Sequence, residues 1–155
     1  MTLIKSISGI RGTIGGIAGD GLTPLDVVKF TSAFATFMQR AAGKRDIRVA
    51  IGRDARISGE MVQHLVIGTL QGMGASVINL DLSTTPTVEV AVPRLKADAG
   101  IILTASHNPK QWNALKLLNH RGEFISAEDG AEVLRLAESG EVEFADVDSI
   151  GGYVR

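Results

Sequence analysis

The sequence predicts an α/β domain of three layers, in which helices cover both faces of a parallel sheet. Short apolar runs alternate with amphipathic stretches at intervals of about 25 residues, which is the pattern of right-handed βαβ units. The strand-like runs are apolar throughout, as expected for strands that are buried on both faces. The chain has 155 residues, of which 45% are hydrophobic and 21% charged, and this is enough for one domain with a core.

The first helix is predicted over 23–43, TPLDVVKFTSAFATFMQRAAG. Thr23 is a good N-cap, Pro24 suits the first helical position, and Asp26 completes a capping box. Apolar residues recur at spacings of three and four, which places them on one face of the helix. Gly43 is expected to end it.

The other elements follow in order along the chain. A strand is predicted in DIRVAIGRD through Ile51, and a second helix in SGEMVQHLVIGTLQGMG, with Ser58 as cap and Met61, Leu65 and Thr69 along one side. The remaining predictions are a strand in ASVINLD, a short helix in TPTVEVAVPRL opened by Pro86, strands in ADAGIILTAS and ALKLLN, and a helix in SAEDGAEVLRLAESG capped by Ser126.

Composition argues against several classes of function. The net charge of −1 provides no basic excess for nucleic acid or for an anionic membrane. The chain contains no cysteine, so disulfides, thiolate metal sites and thiol chemistry are excluded. Its start lacks the apolar core of a signal peptide, and no apolar run approaches the roughly 20 residues that cross a bilayer. We therefore expect a cytoplasmic protein with neither nucleic acid nor membrane as a partner.

The most informative stretch is GIILTASHNPKQWNALK, residues 100–116. An apolar run ends abruptly, and Ser106, His107, Asn108 and Pro109 follow in a turn. Serine beside histidine suggests acyl transfer, but no Gly-x-Ser-x-Gly pattern is present, and neighbouring side chains diverge in an extended turn. Phosphoryl chemistry suits these residues better, because a phosphate on serine can be held by cations and backbone donors.

Cations that could hold a phosphate are available near this turn and in others. They are His107, Lys110, Lys116, Arg11, Arg53 and Arg56. GRDAR and TASHNP each follow a predicted strand, and ligands bind at the carboxyl ends of strands in such sheets. Together these features favour an anion site. The alternative is that the arginines pair with Asp20, Asp54 or Glu60 and only brace loops.

TASHNP followed by NALK, with SGIRG upstream and GRDAR between, closely resembles the first domain of the α-D-phosphohexomutases, over about residues 3 to 140. The resemblance implies a three-layer α/β/α fold with a mostly parallel (mixed) sheet. It also implies one domain over 1–142, with 143–155 starting a linker toward a second domain. The implied enzyme interconverts hexose 1- and 6-phosphates through a phosphoserine and a bisphosphate intermediate, with Mg²⁺ as cofactor. Glucosamine phosphate is the favoured substrate, and glucose and mannose phosphates are close seconds.

The resemblance also implies roles for individual residues. Ser106 is the phosphoryl carrier and, through its phosphate, a metal ligand. Lys116 and Arg11 act near the transferred phosphoryl group, and either could be the acid/base. His107 contacts the site. Arg53 and Asn108, together with Arg11 and Lys116, are expected to bind phosphate or substrate.

The resemblance leaves two questions open. The remaining metal ligands and substrate loops belong to the family's other domains, so the isolated chain is expected to be inactive as a mutase. Ala114 stands where the family usually has glycine, and it would be strained if that position needed a positive φ. The competing hypothesis is a non-catalytic module that binds phosphate or sugar phosphate.

Overall fold

A mixed β-sheet forms the middle layer of the domain. The computed structural model describes residues 1–6 and 9–155. The described residues form seven strands, which are β1 (Ile4–Lys5), β2 (Gly9–Thr13), β3 (Arg48–Arg53), β4 (Ser76–Leu82), β5 (Ala99–Leu103), β6 (Trp112–Leu118) and β7 (Tyr153–Val154). Their order across the sheet is β1-β2-β6-β5-β3-β4-β7.

The sheet has a parallel part and an antiparallel part. β5, β3, β4 and β7 are parallel neighbours, whereas β1, β2, β6 and β5 pair in antiparallel fashion. The mixed sheet that the resemblance implied is therefore confirmed. The residue pattern alone predicted no strand at β2, because glycine is depleted in strands. Glycine is required at Gly9 by the close approach of β6, since an added Cβ would lie 2.1 Å from the carbonyl oxygen of Leu115.

Helices cover both faces of the sheet, which confirms the three layers. In the described residues the α-helices are α1 (Pro24–Ala42), α2 (Gly59–Gly72), α3 (Thr85–Arg94) and α4 (Ala127–Ser139). Alternate residues of β3 divide between the faces: Val49 and Ile51 join the core under α1, α2 and α4, whereas Ala50 packs with Val88 and Val92 of α3. Within the described chain, no helix has both the length and the apolar character that a membrane crossing needs.

The predicted ends of α1 are confirmed. The Thr23 hydroxyl accepts a hydrogen bond from the Asp26 N–H, and the Asp26 carboxylate accepts one from the Thr23 N–H at 3.0 Å. These reciprocal bonds form the capping box and satisfy donors that the first turn leaves free. Gly43 ends the helix with a left-handed φ of 70°.

The side of α2 that carries Met61, Leu65 and Thr69 ranges from exposed to buried along the helix. Met61 is exposed, whereas Val62, Val66 and Leu70 are fully buried against the sheet. Periodicity alone did not separate these faces, because apolar residues occur on both. Ser58 does precede α2, but its side chain makes no capping bond.

The segment after α4 packs against the parallel edge of the sheet. The Ala145 N–H donates to the Gly72 carbonyl at 2.7 Å, and the Gly151 N–H donates to the Gln71 carbonyl at 2.8 Å. β7 then pairs with β4. Residues 143–155 are thus in contact with α2 and β4, and the domain boundary at 142 stays a prediction.

Candidate active site at the serine loop

Two polar segments emerge side by side at one edge of the sheet. β3 and β5 are parallel neighbours, and their last residues, Arg53 and Leu103, are partners in register. Asp54 is the next residue after Arg53, and its N–H donates to the Leu103 carbonyl at 3.1 Å. The structure therefore brings GRDAR together with the loop of residues 104–111, which we call the serine loop.

Ser106 and Lys116 are in direct contact. The Lys116 Nζ donates a hydrogen bond to the Ser106 Oγ at 2.7 Å. Lys116 lies on β6 opposite Ile102 of β5, so the strand pairing fixes the backbone position from which its side chain extends. Ser106 is exposed and Lys116 is half-buried. The arrangement places an ammonium donor on a hydroxyl oxygen that a ligand can reach.

Ser106 has an unusual backbone conformation. Its φ is 53°, in the left-handed region that costs a residue other than glycine about 1–2 kcal/mol. The Ser106 N–H donates to the Thr104 hydroxyl at 3.2 Å, and that hydroxyl donates to the Asp54 carboxylate at 2.7 Å. The turn closes where the Asn108 N–H donates to the Ala105 carbonyl at 3.0 Å. These bonds hold the strained conformation, and such strain often marks a functional position.

Arg56 binds backbone carbonyls of the serine loop and of the first residue of β6. Its Nη2 donates to the Ser106 carbonyl at 2.8 Å, and its Nη1 donates to the carbonyls of Pro109 and Trp112 at 2.8 and 3.1 Å. Its Nε forms an ion pair with Asp54 at 3.1 Å. These contacts match the alternative in which an arginine braces a loop. Sequence reasoning counted Arg56 both among the possible phosphate ligands and among the arginines that could pair with Asp54 and brace a loop, and GRDAR gave no signal that distinguished its two arginines.

Arg53 is directed away from the serine loop. Its Nε donates to Gln63 of α2 and lies 3.3 Å from a carboxylate oxygen of Asp81. Its side chain is only 14% exposed, and Asp81 also pairs with Arg155 at 2.7 Å. Arg53 therefore joins β3, α2 and the end of β4. Its role in binding phosphate stays a prediction.

Arg11 shares a face of the sheet with Lys116. Arg11 on β2 is the register partner of Ala114, which lies two residues before Lys116 on β6. Cross-strand partners and residues two apart on a strand point to the same face. Arg11 and His107 are both exposed, and in the described part of the chain neither side chain is hydrogen-bonded to another residue.

Ala114 does not have the positive φ that would have strained it. Among the residues that the structure describes, those other than glycine with a positive φ are Asp81, Lys96 and Ser106. Ala114 lies within β6 and is buried. Alanine is therefore compatible with this backbone, and Lys116 follows it in regular strand geometry.

The carboxylate beside the serine loop is already paired. Asp54 accepts bonds from Arg56 and Thr104. Over residues 1–6 and 9–155, no cluster of three or more histidine, aspartate or glutamate side chains could hold a metal ion. Ser106, through a phosphate on its oxygen, is the one position here that the resemblance assigns to a metal.

The fold and the position of the serine loop define an α/β/α domain whose polar edge lies at the ends of its parallel strands. Residues 3–143 match the family described as phosphoglucomutase/phosphomannomutase, α/β/α domain I. The chain belongs to this family, as its motifs indicated.

Related proteins carry the names of phosphomutases. The chain is 37% identical over 142 residues to a phosphoglucomutase/phosphomannomutase of Thermococcus kodakarensis, covering 90% of this chain and 31% of that protein. It is 38% identical over 126 residues to a phosphoglucosamine mutase of Ligilactobacillus salivarius, covering 81% and 28%. A crystal structure of a phosphoglucomutase/phosphomannomutase family protein from Burkholderia thailandensis superposes with a TM-score of 0.79 and 25% identity, covering 97% of this chain and 32% of that one. The chain thus spans about a third of the length of these relatives.

Proposed function

We propose that this chain carries the phosphoserine of a phosphohexomutase, an isomerase that interconverts hexose 1-phosphate and hexose 6-phosphate. The observation that supports this most strongly is the 2.7 Å hydrogen bond from the Lys116 Nζ to the Ser106 Oγ, on a serine held at a φ of 53°. A donor on the Oγ stabilises the charge that the serine oxygen gains as a phosphoryl group leaves it. The names of the relatives support the same class of reaction.

The proposed reaction has two phosphoryl transfers. In the first, the bond from phosphorus to the Ser106 Oγ breaks and a bond to the oxygen of the free hydroxyl of a hexose 1-phosphate forms. That hydroxyl gives up its proton, the Ser106 Oγ gains one, and the product is a hexose 1,6-bisphosphate. The bisphosphate turns round, and the other phosphoryl group returns to Ser106. The sugar leaves as the 6-phosphate, and the enzyme is again phosphorylated. In the opposite direction the same steps run in reverse.

Lys116 is the group best placed to serve the serine oxygen. Its ammonium donates to the Oγ, so it stabilises the charge that develops there as the phosphoryl group departs and can supply the proton. A guanidinium does not lose its proton in proteins. We therefore assign proton transfer to Lys116 and charge stabilisation to Arg11. Arg11 is exposed on the same face.

The proposal requires parts beyond this chain. Ser106 lies on an open surface, whereas phosphoryl transfer needs a site that excludes water. On this proposal, the remaining domains of the parent polypeptide close over the serine loop and bind the sugar. Mg²⁺, held by the serine phosphate and by ligands from those domains, would offset negative charge on the phosphoryl oxygens. The chain alone is expected to lack mutase turnover.

The favoured substrate is glucosamine phosphate, with glucose and mannose phosphates as close alternatives. Relatives with each of these specificities in their names match this domain. The relative rates of the full-length polypeptide with glucosamine, glucose and mannose 1-phosphates would identify the sugar.

The test of the proposal is the full-length polypeptide that carries this chain, with Ser106→Ala as the variant. We expect turnover to fall by at least about 1,000-fold, because the phosphoryl carrier is lost. Ser139→Ala, at the distant end of α4, is the matched control and should keep the activity. A module that only binds sugar phosphate would show no turnover in the unaltered protein and would retain binding after Ser106→Ala.

A further inference from the structure

We propose that Arg56 is a positioning residue, which fixes the left-handed serine loop and so places the Ser106 Oγ against the Lys116 Nζ. This inference rests on the proposed function and adds to it a residue that contacts no substrate. It also separates the two arginines of GRDAR, since Arg53 binds α2 and β4 whereas Arg56 binds the loop.

The Arg56 guanidinium joins Ser106 to the far end of the loop through backbone carbonyls. Nη2 holds the carbonyl of Ser106 itself, while Nη1 holds those of Pro109 and Trp112 where the chain enters β6. The guanidinium is a rigid fork of donors, so three carbonyls bound at once have a fixed spacing. Lysine has a single ammonium on a flexible stem and cannot reproduce that spacing.

Asp54 fixes Arg56 and links it to the other side of the serine. The carboxylate accepts hydrogen bonds from the backbone N–H of Arg56 at 3.2 Å and from its side-chain Nε at 3.1 Å. It also accepts from the Thr104 hydroxyl, which in turn accepts from the Ser106 N–H. Both peptide groups of Ser106 are therefore held by one connected set of hydrogen bonds. This set opposes the tendency of a residue other than glycine to leave the left-handed region.

Arg56 is poorly suited to bind a phosphate directly. Its side chain is only 11% exposed, and Asp54 compensates its charge. Its Nε and both terminal nitrogens already donate to protein oxygens. Four of its five N–H groups are in use, so a phosphate bound by two of them would break at least one of these bonds. Arg11, which is exposed beside Lys116, is the better candidate for that contact.

The first arm of the test is kinetic and uses Arg56→Lys in the full-length polypeptide. We expect kcat to fall by about 100-fold, because a displacement of about 1 Å can have that effect, while KM stays within about threefold. Arg48→Lys is the matched control. Arg48 also donates to a backbone carbonyl, that of Leu95 at 3.0 Å, but among the described residues its side chain binds only this one, and it lies at the opposite end of β3. This control should stay within about twofold of the unaltered protein.

The second arm measures amide hydrogen exchange in the same variants. The Asn108 amide and the Trp112 amide at the start of β6 donate to carbonyls of the loop, those of Ala105 and Pro109. We expect Arg56→Lys to speed their exchange by at least about tenfold while the amides of α1 keep their rates. A merely structural loss of stability would speed exchange throughout the domain.

Three results would overturn the proposal. They are an unchanged kcat in Arg56→Lys, a rise in KM alone, which would make Arg56 a substrate ligand, and loop exchange equal to that of the unaltered protein. Failure of the proposed function is distinguishable from all three. In that case the unaltered protein would show no turnover, and hydrogen exchange alone would decide whether Arg56 fixes the loop.

Discussion

Replacing Lys116 with methionine should abolish most activity while leaving the fold intact. Methionine keeps the length and the apolar stem of lysine but removes the ammonium that donates to the Ser106 Oγ. The backbone of residue 116 stays paired with Ile102 and Gly9 in the sheet. The substitution therefore removes one charged donor and little else.

The expected loss of kcat and the expected change in the free energy of unfolding both follow from where the ammonium lies. Loss of one donor to a developing oxyanion lowers kcat by roughly 100- to 1,000-fold, or about 2.7–4 kcal/mol of transition-state stabilisation. The cost to folding should be far smaller. The Lys116 side chain is only half-buried, and substitutions away from the core change the free energy of unfolding by about 0.5 kcal/mol or less.

The assay compares kcat for Lys116→Met, Lys116→Arg and the unaltered full-length polypeptide, with urea unfolding of each. Lys116→Arg keeps the charge and should recover part of the rate, but a guanidinium cannot supply the proton. A kcat for Lys116→Met within about threefold of the unaltered protein would refute the role of Lys116. A loss of more than about 2 kcal/mol in unfolding free energy would refute the argument that its ammonium is dispensable for folding.

Two further predictions concern the domain itself. Gly122→Ala should lower the free energy of unfolding by about 2–4 kcal/mol, since Gly122 has a φ of 77° and a Cβ would lie 2.0 Å from the Glu89 carbonyl oxygen. The control is Gly68→Ala in α2, where an added Cβ would meet nothing within 4 Å. In this variant the free energy of unfolding should rise by about 0.5–1 kcal/mol. Equal effects of the two substitutions in urea unfolding would contradict the prediction. The hydrogen bond from Arg135 holds the pKa of Glu132 below its ordinary 4.5, so the pair's contribution to stability is present above that pH and is lost as pH falls through the lowered value. Arg135→Gln should raise the pKa of Glu132 toward 4.5 in an NMR titration, and an unchanged value would contradict the assigned cause.

Local signals predicted the helix ends and the general form of the sheet. Thr23, Pro24 and Asp26 determine the start of α1 through contacts within a few residues, so the sequence carries all the information needed. The end of the apolar run before Thr104 likewise marks the end of a strand buried on both faces. In both cases, the residues that determine the end of the element are close together in the sequence.

The bracing of the serine loop depends on contacts between distant parts of the chain. Arg56 reaches carbonyls about 50 positions later because β3 and β5 are register partners, and no local pattern encodes that register. Arg53 ends β3 with its side chain toward α2, whereas Arg56 lies beyond the strand in the following turn. Sequence reasoning therefore identified the right cluster of arginines but could not say which one contacts the loop.

The most direct test of the central claim is to locate phosphate on the protein. The full-length polypeptide would be incubated with Mg²⁺ and a hexose 1,6-bisphosphate, digested with trypsin, and analysed by mass spectrometry with fragmentation. Ser106 lies in the tryptic peptide 97–110 together with Thr104, so fragmentation must distinguish the two hydroxyls. We predict phosphate on Ser106 and none on this peptide in Ser106→Ala. A folded protein that carries no phosphate on Ser106 under these conditions would contradict the account and favour a module that only binds sugar phosphate.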